Sequence, residues 1–472
     1  MIMLPLILIM LVIPIAALVL AILMNGTKAR KVIIGSTLIN MLITLSIFVS
    51  SILSGSVSIS EQYPYISSFG VYLGFRINVI SMVLLIMSSV VLFATALSGN
   101  VEKEHHKLSS ALIALFQLAA VGLFTSANLF VFFIFWDIGV IAMFFMINML
   151  GSANRKAAAT NFLIYEIFAS SMLLLGIMLI YFFTPVHSFD ISVITSSAAL
   201  IPAGKQSLIF IVLFLAFMIN MPLFPMHFWL PDAHTEASTQ GSMLLSGILT
   251  KFGAFGMLML FAMLPISASY SVYIAVLAAV SAFYAVFLLI HQTDIKRIIA
   301  YSTIVEMGVI MLGISAGNAF GTYGAVFAML SHGLTVALMF LLVGVIKHIF
   351  GERNIFALKG MVMKASYTTY IFIIGALAMI GFPLTSGFIA DVLLFIGSVQ
   401  AFGVFGVVPL AALLLMGAFL YYVISKSMLS SKEYSKTVDY VAIEQKIGYG
   451  VLLFFIFIYG ILPFAILNLV KI

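Results

Sequence analysis

Ser207-Leu208-Ile209-Phe210-Ile211-Val212-Leu213-Phe214-Leu215-Ala216-Phe217-Met218-Ile219-Asn220-Met221-Pro222-Leu223-Phe224-Pro225 is the stretch that decides the fold. From Leu208 to Ile219 no side chain carries charge or a strong polar group, as a helix through hydrocarbon requires. Two prolines then remove ladder donors, so the helix breaks where little water is at hand for the released backbone groups. A broken apolar helix of this kind belongs to a membrane protein.

The rest of the chain agrees. Its 472 residues are 64% apolar and 8% charged, whereas soluble domains run near 45–50% apolar and about 25% charged. Mean hydropathy is +1.26. Too few charged side chains exist to cover a water-facing globule, which leaves a polytopic helical membrane protein. The absence of cysteine excludes disulfides, thiolate zinc sites, iron–sulfur ligation and cysteine nucleophiles within this chain.

Runs of about 18–25 apolar residues give roughly fourteen spans. Their cores are Met3–Leu23, Val32–Ser54, Ile77–Leu97, Leu108–Thr125, Leu129–Leu150, Ala157–Phe183 and Ser207–Pro222 for helices 1 to 7. Helices 8 to 14 have cores Ser242–Leu264, Val272–His291, Ile298–Ile314, Gly321–Ile349, Tyr370–Val399, Gly403–Lys426 and Ile447–Leu469. The first span lacks a basic leader and a small-residue cleavage site, so it reads as a retained helix.

Basic residues give the orientation. With the N-terminus outside, the inner loops hold Lys28, Arg30, Lys31, Lys103, Lys107, Arg155, Lys156, Lys296 and Arg297. They also hold Lys347, Arg353, Lys359, Lys364, Lys426, Lys432, Lys436 and Lys446. Only Arg76, Lys205 and Lys471 fall outside, and Lys251 lies within a span. This bias predicts both termini on the outer side. The basic loops Lys347–Lys364 and Ser430–Lys446 fit the docking of neighbours, or topology alone.

A second interruption, Gly381-Phe382-Pro383-Leu384-Thr385-Ser386-Gly387, divides helix 12. Paired broken helices five helices apart suggest two inverted five-helix units, helices 4–8 and 9–13. Ordinary proline kinks are the other reading. The corresponding division is 1–107 for helices 1–3, 108–264 for the first repeat, 265–428 for the second, and 429–472 for the last loop and helix 14.

Six ionisable groups stand within spans: Asp137, Glu166, Lys251, Glu306, His332 and Asp391, on helices 5, 6, 8, 10, 11 and 12. Each costs about 2.5–3.5 kcal/mol at the bilayer centre on insertion scales, so each needs a reason. A row of such groups joined by water outlines a proton relay. Structural ion pairs and snorkelling are the alternatives. Snorkelling suits Glu306, about two turns beyond Arg297, and His332 also fits a satisfied core histidine.

The string Phe224-Pro225-Met226-His227-Phe228-Trp229-Leu230-Pro231-Asp232-Ala233-His234-Thr235-Glu236-Ala237 resembles the antiporter-like membrane subunits of respiratory complex I. These are shared with Mrp-type cation/proton antiporters and membrane-bound hydrogenases, and the string is most similar to the M type (chain 4 of NADH:quinone oxidoreductase). Gln292–Ser302 and Ser331-His332-Gly333-Leu334 extend the resemblance, which runs from about helix 3 to helix 13. It implies an all-α integral membrane fold of about fourteen helices, two inverted five-helix repeats with helices 7 and 12 broken, and proton translocation driven by quinone reduction elsewhere.

Carried over by position, the resemblance makes Asp137 the helix 5 carboxylate and Asp391 the helix 12 acid, each one methylene shorter than the family's glutamate. Lys251 becomes the central helix 8 lysine and His332 the helix 11 histidine. Where the family has lysine before Met-Pro on helix 7, this chain has Asn220, which cannot carry charge. Asp137 thereby loses an expected counter-ion. Glu166 stands where a small polar residue is common, and Glu306 replaces a frequent histidine. These departures allow a proton path rewired through Glu166, an altered cation preference, or a subunit that no longer pumps.

The expectation is therefore a proton-translocating, or sodium-coupled, subunit in the membrane arm of a complex I-like oxidoreductase. Protons would enter from the inner side near helices 7 and 8, cross by Lys251 and His332, and leave by Asp391. Asn220, Pro222, Pro225, His227, Trp229, Pro231, Asp232, His234 and Pro383 would make up the helix breaks and the family motif. No cofactor, metal or nucleic acid is expected, and the partners are neighbouring antiporter-like subunits in the inner or plasma membrane. The alternatives are a subunit of an Mrp-type antiporter or of a membrane-bound hydrogenase or ferredoxin-linked complex, and a non-pumping structural subunit.

Overall fold

Polar side chains set where the helices begin. Asn25, Asn78, Asn128, Ser238, Asp294 and Asn318 each accept a backbone N–H of the first turn that follows them, satisfying donors that have no partner within the helix. Helices 2 and 11 end on Gly55 and Gly351 in the left-handed region. The computed structural model describes residues 5–66, 71–101, 105–431 and 441–470. Met3, Lys103, Lys432, Lys436 and Lys471, used above for the first span and for orientation, lie outside the described residues, as does most of the basic loop Ser430–Lys446.

Among the described residues thirteen helices are long and apolar enough to cross a membrane. One of them, Ser386–Met428, turns at Gly403–Val407 and so serves two passes. Helices 1 to 7 begin with Leu6–Leu23, Gly26–Ser54, Val79–Leu97, His106–Thr125, Leu129–Leu150, Arg155–Phe183 and Ala203–Asn220. Helix 8 is Thr239–Met263, helix 9 Ser267–Leu289, helix 10 Ile295–Ser315 and helix 11 Ala319–Phe350. Helix 12 comprises Ser366–Met379 and Ser386–Phe402, helix 13 starts at Val408, and helix 14 is Ile443–Ile461.

Three details depart from the sequence reading. Helix 7 has a second half, Trp229–Glu236, beyond its break. The loop after helix 2 is an antiparallel hairpin, β1 Ile59–Ile66 with β2 Val71–Ile77, pairing Tyr63 with Leu73. Glu61 on β1 accepts the backbone N–H groups of Ile7 and Leu8 at 2.8 and 3.0 Å, satisfying the start of helix 1 from 54 and 53 residues away. Between helices 6 and 7 a short helix, Ile191–Ser197, begins at an Asp190 cap.

The polarity of the molecule is that of a membrane protein. Large apolar side chains such as Val12, Val19, Leu53, Ile164 and Leu414 face outward, whereas Glu166 and Lys251 are fully buried. Helix 11 is buried along its span and packs against helices 3, 10 and 12. Helix 8 packs on it as well, whereas the first half of helix 7 packs against helices 6 and 8 and its second half against helices 6 and 10.

Candidate functional site

Helix 8 owes its chemistry to a wide turn. Leu245–Leu249 is a π-helical turn, which frees backbone groups from the ordinary ladder and recurs at functional sites. Lys251 lies just beyond it, fully buried. Its Nζ donates to the Ser246 carbonyl at 2.5 Å and lies 2.6 Å from His332 Nδ1 on helix 11. Thr250 Oγ1 stands 3.4 Å away. When the lysine is protonated it donates to Nδ1, so the neutral ring carries its own proton on Nε2.

His332 Nε2 has no hydrogen-bond partner among the described residues. His332 also lines a small cavity of about 10 Å³ with Glu306, Ser331, Thr335 and Asp391, which is room for about one water. Glu306 is half-buried and lines this cavity from helix 10, across from His332 on helix 11 and Asp391 on helix 12. The break of helix 12 shapes the far wall. Gly381 has φ +66°, and a Cβ there would sit 2.0 Å from Asp391 Oδ2, so glycine supplies both the backbone conformation and the room. Pro383 lies within the same turn, and Ser386 Oγ donates to Ser331 Oγ at 2.9 Å, joining the break to helix 11.

The break of helix 7 forms the second polar cluster. Pro222 and Pro225 interrupt the helix after Asn220, and the Phe224–Pro225 peptide is cis. Asn220 is fully buried, and its Nδ2 donates to both Glu166 oxygens, each at 3.2 Å. Its Oδ1 accepts the Gly253 N–H at 2.8 Å. Gly253 allows this approach, because a Cβ there would lie 2.7 Å from the Phe217 carbonyl oxygen. Asp137 is half-buried and accepts from Ser170 Oγ at 2.6 Å. Asn220 thus bonds to Glu166, while a helix 6 hydroxyl serves Asp137.

The family-like string divides by role. Trp229 Nε1 donates to the Ile219 carbonyl at 3.0 Å, tying the second half of helix 7 back to the end of the first. Pro231 sits in the first turn of that half, where its missing N–H costs no ladder bond. His227 is buried, with its ring 4.3 Å from Phe228 and 5.3 Å from Tyr284. Asp232 pairs with Arg297 at 3.1 Å at the surface. His234 is fully buried, stacked on Phe340 at 4.4 Å, with Nε2 2.6 Å from Ser246 Oγ.

Sequence reasoning missed the hydroxyls. Ser246 touches His234 and Thr303 through its side chain, the latter at 3.1 Å, and Lys251 through its carbonyl. The signal for it was its position five residues before Lys251, in a span whose other hydroxyls are Ser242 and Thr250. His234, Ser246, Lys251 and His332 thus touch in sequence, His234 at the Ser246 hydroxyl and Lys251 at its backbone carbonyl, and His332 lines the Glu306–Asp391 cavity.

Comparisons with known proteins agree with this architecture. The family profile described as NADH:quinone oxidoreductase/Mrp antiporter, TM, matches residues 126–419. NADH-quinone oxidoreductase subunit M of Rickettsia bellii is 34% identical over 418 residues, covering 86% of this chain and 83% of the relative. A chain of respiratory complex I from Thermus thermophilus with bound NADH superposes with a TM-score of 0.89 at 22% identity, covering 98% of this chain and 97% of that one. A chain of the Mrp complex from Dietzia sp. superposes with a TM-score of 0.86 at 18% identity, covering 98% and 95%. The share of the chain matched, and the identity to a subunit M over most of both lengths, establish that this protein belongs to the NADH:quinone oxidoreductase/Mrp antiporter family of transmembrane subunits.

Proposed function

We propose that this antiporter-like membrane subunit translocates protons within the membrane arm of a complex I-like oxidoreductase, with the redox chemistry carried by other subunits. Its general role follows from its family. The path argued for here is His234, Ser246, Lys251 and His332, then Glu306 and Asp391, with the carboxyl groups of Asp137 and Glu166 biasing it from helices 5 and 6. Protons enter on the inner side, given the excess of Lys and Arg on that face, and leave past the helix 12 break. The repeats are 108–264 and 265–428, flanked by 1–107 and 429–472.

The observation that carries this reading is the buried Lys251–His332 contact at 2.6 Å. A proton on Nζ is already directed at Nδ1 there, so a change in neighbouring charge suffices to pass it to the ring. Lys251→Ala in the assembled complex is expected to lower the protons moved per electron pair. An unchanged yield with normal assembly would sink the proposal.

A second reading makes the chain a structural subunit that no longer pumps, because Asn220 holds Glu166 without carrying a charge. The same Lys251→Ala measurement separates the two, and replacing external sodium by choline distinguishes proton from sodium transfer. Genes beside this one distinguish the partners: hydrophilic redox subunits fit an oxidoreductase or hydrogenase arm, and small antiporter subunits alone fit an Mrp-type assembly.

A further inference from the structure

Basic residues at the inner ends of membrane helices ordinarily spread into water, but here several converge on one concavity. Lys296 opens helix 10, Lys347 and His348 close helix 11, and Arg353 follows the left-handed Gly351 that ends helix 11. All four line a cavity of about 290 Å³ whose wall includes Phe340 and Ala237. No acidic side chain lines it among the described residues.

Two of the cations are held in position. Lys296 is buried, and its Nζ donates to the Ala237 carbonyl at 2.5 Å. Arg353 Nη1 donates to the Thr235 carbonyl at 3.1 Å, and Nη2 pairs with Asp294 Oδ2 at 2.9 Å. Lys347 and His348 stand exposed at the mouth. Asp294 offsets one of the three fixed positive charges. The space is several times the roughly 30 Å³ that one water occupies in the liquid, so a tetrahedral oxyanion fits with part of its hydration.

We propose that this cavity binds a phosphate-bearing anion, either the headgroup phosphate of an anionic phospholipid of the inner leaflet or free phosphate. Lysine and arginine recognise phosphate oxygens by charge-assisted hydrogen bonds, and basic pockets between helices at the cytoplasmic interface are suited to anionic headgroups. The cavity adjoins the start of the proposed proton path, because Phe340 on its wall stacks against His234. It does not depend on whether the subunit pumps.

The test uses the purified complex in phosphatidylcholine nanodiscs, titrated with fluorescent phosphatidylglycerol and with inorganic phosphate. Wild type is expected to take up at least one of these probes saturably. Lys347→Gln is expected to weaken binding about fivefold, the effect of one interfacial cation, and Lys347→Glu to weaken it further. Lys156→Glu, which alters an exposed inner-loop lysine outside the cavity, should leave it unchanged. Saturable phosphatidylglycerol binding that millimolar phosphate fails to displace assigns the site to lipid. Phosphate binding or displacement assigns it to the free ion. Should Lys347→Glu impair assembly, His348→Gln at the same exposed mouth is expected to weaken binding in its place. Failure of wild type to bind either probe, or equal binding by wild type and a correctly assembled Lys347→Glu, overturns the proposal. Because binding is read without turnover, this outcome is distinct from failure of proton translocation.

Discussion

Asn220 is bound to Glu166 through one amide group that reaches both carboxylate oxygens at 3.2 Å. The same side chain accepts the Gly253 N–H, so the break of helix 7, helix 6 and helix 8 meet at a single neutral residue. A lysine at this position would add a fixed positive charge beside a fully buried carboxylate, holding the latter ionised.

Asn220→Lys is accordingly expected to slow proton uptake by vesicles holding the purified complex, roughly tenfold, if Glu166 must gain and lose a proton during turnover. A rise in proton yield from a low baseline would instead identify a subunit whose pumping has decayed. Asn220→Ala tests the structural share of the same contact. It strands Glu166 and the Gly253 N–H, costing about 1–3 kcal/mol for each group left unpaired, and should lower the thermal midpoint of the complex.

His332→Gln keeps an oxygen acceptor near Lys251 but removes a ring that takes a proton on one nitrogen and gives it from the other. Proton yield should fall roughly tenfold or more, while assembly and thermal stability stay near wild type. Equal loss of assembly and pumping would make His332 a packing residue, which its 5% exposure and unpaired Nε2 also permit.

The breaks and the buried charges could be read in the sequence because each violates a rule of the bilayer: proline within a span, or an ionisable side chain among apolar ones. Asp137, Lys251 and Asp391 stood out on that ground. What joins them did not, because contacts between helices depend on rotation and approach that spacing along the chain does not encode. The Asn220–Glu166 bond spans 54 residues, and the π-turn at Leu245–Leu249 that directs Lys251 toward His332 has an unremarkable apolar sequence. The hairpin left no signal among the apolar spans because its strands carry Ser, Glu, Gln and Arg among the apolar residues.

Gly381→Ala is expected to displace Asp391 as well as strain the chain. At φ +66° an alanine costs about 1–2 kcal/mol, and its Cβ would collide with the Asp391 carboxylate. Proton transport should therefore fall more than the loss of stability explains. Gly35→Ala is the matched control: nothing lies within 4 Å of its added Cβ, and replacing a helix-interior glycine should stabilise by about 0.5–1 kcal/mol. Vesicle uptake and thermal melting on the two variants separate the effects.

Trp229 and Asp232 sit three residues apart in one recognisable string, yet they are expected to respond in opposite ways. Trp229 is fully buried, and its indole is the tether across the helix 7 break. Trp229→Phe leaves the Ile219 carbonyl unpaired and a gap beside Phe162, which packs 5.3 Å from the indole. The expected cost is about 2–4 kcal/mol, visible as a lower melting point and slower pumping together. Asp232 is 54% exposed at its side chain and its Arg297 partner 31%, so water screens the pair and it contributes at most about 1 kcal/mol. Asp232→Asn should leave pumping within about twofold of wild type and melting nearly unchanged. A strong loss of pumping in Asp232→Asn without loss of stability would mean that the carboxylate handles protons at the inner mouth, and the path would then have to begin at Asp232 and not at His234.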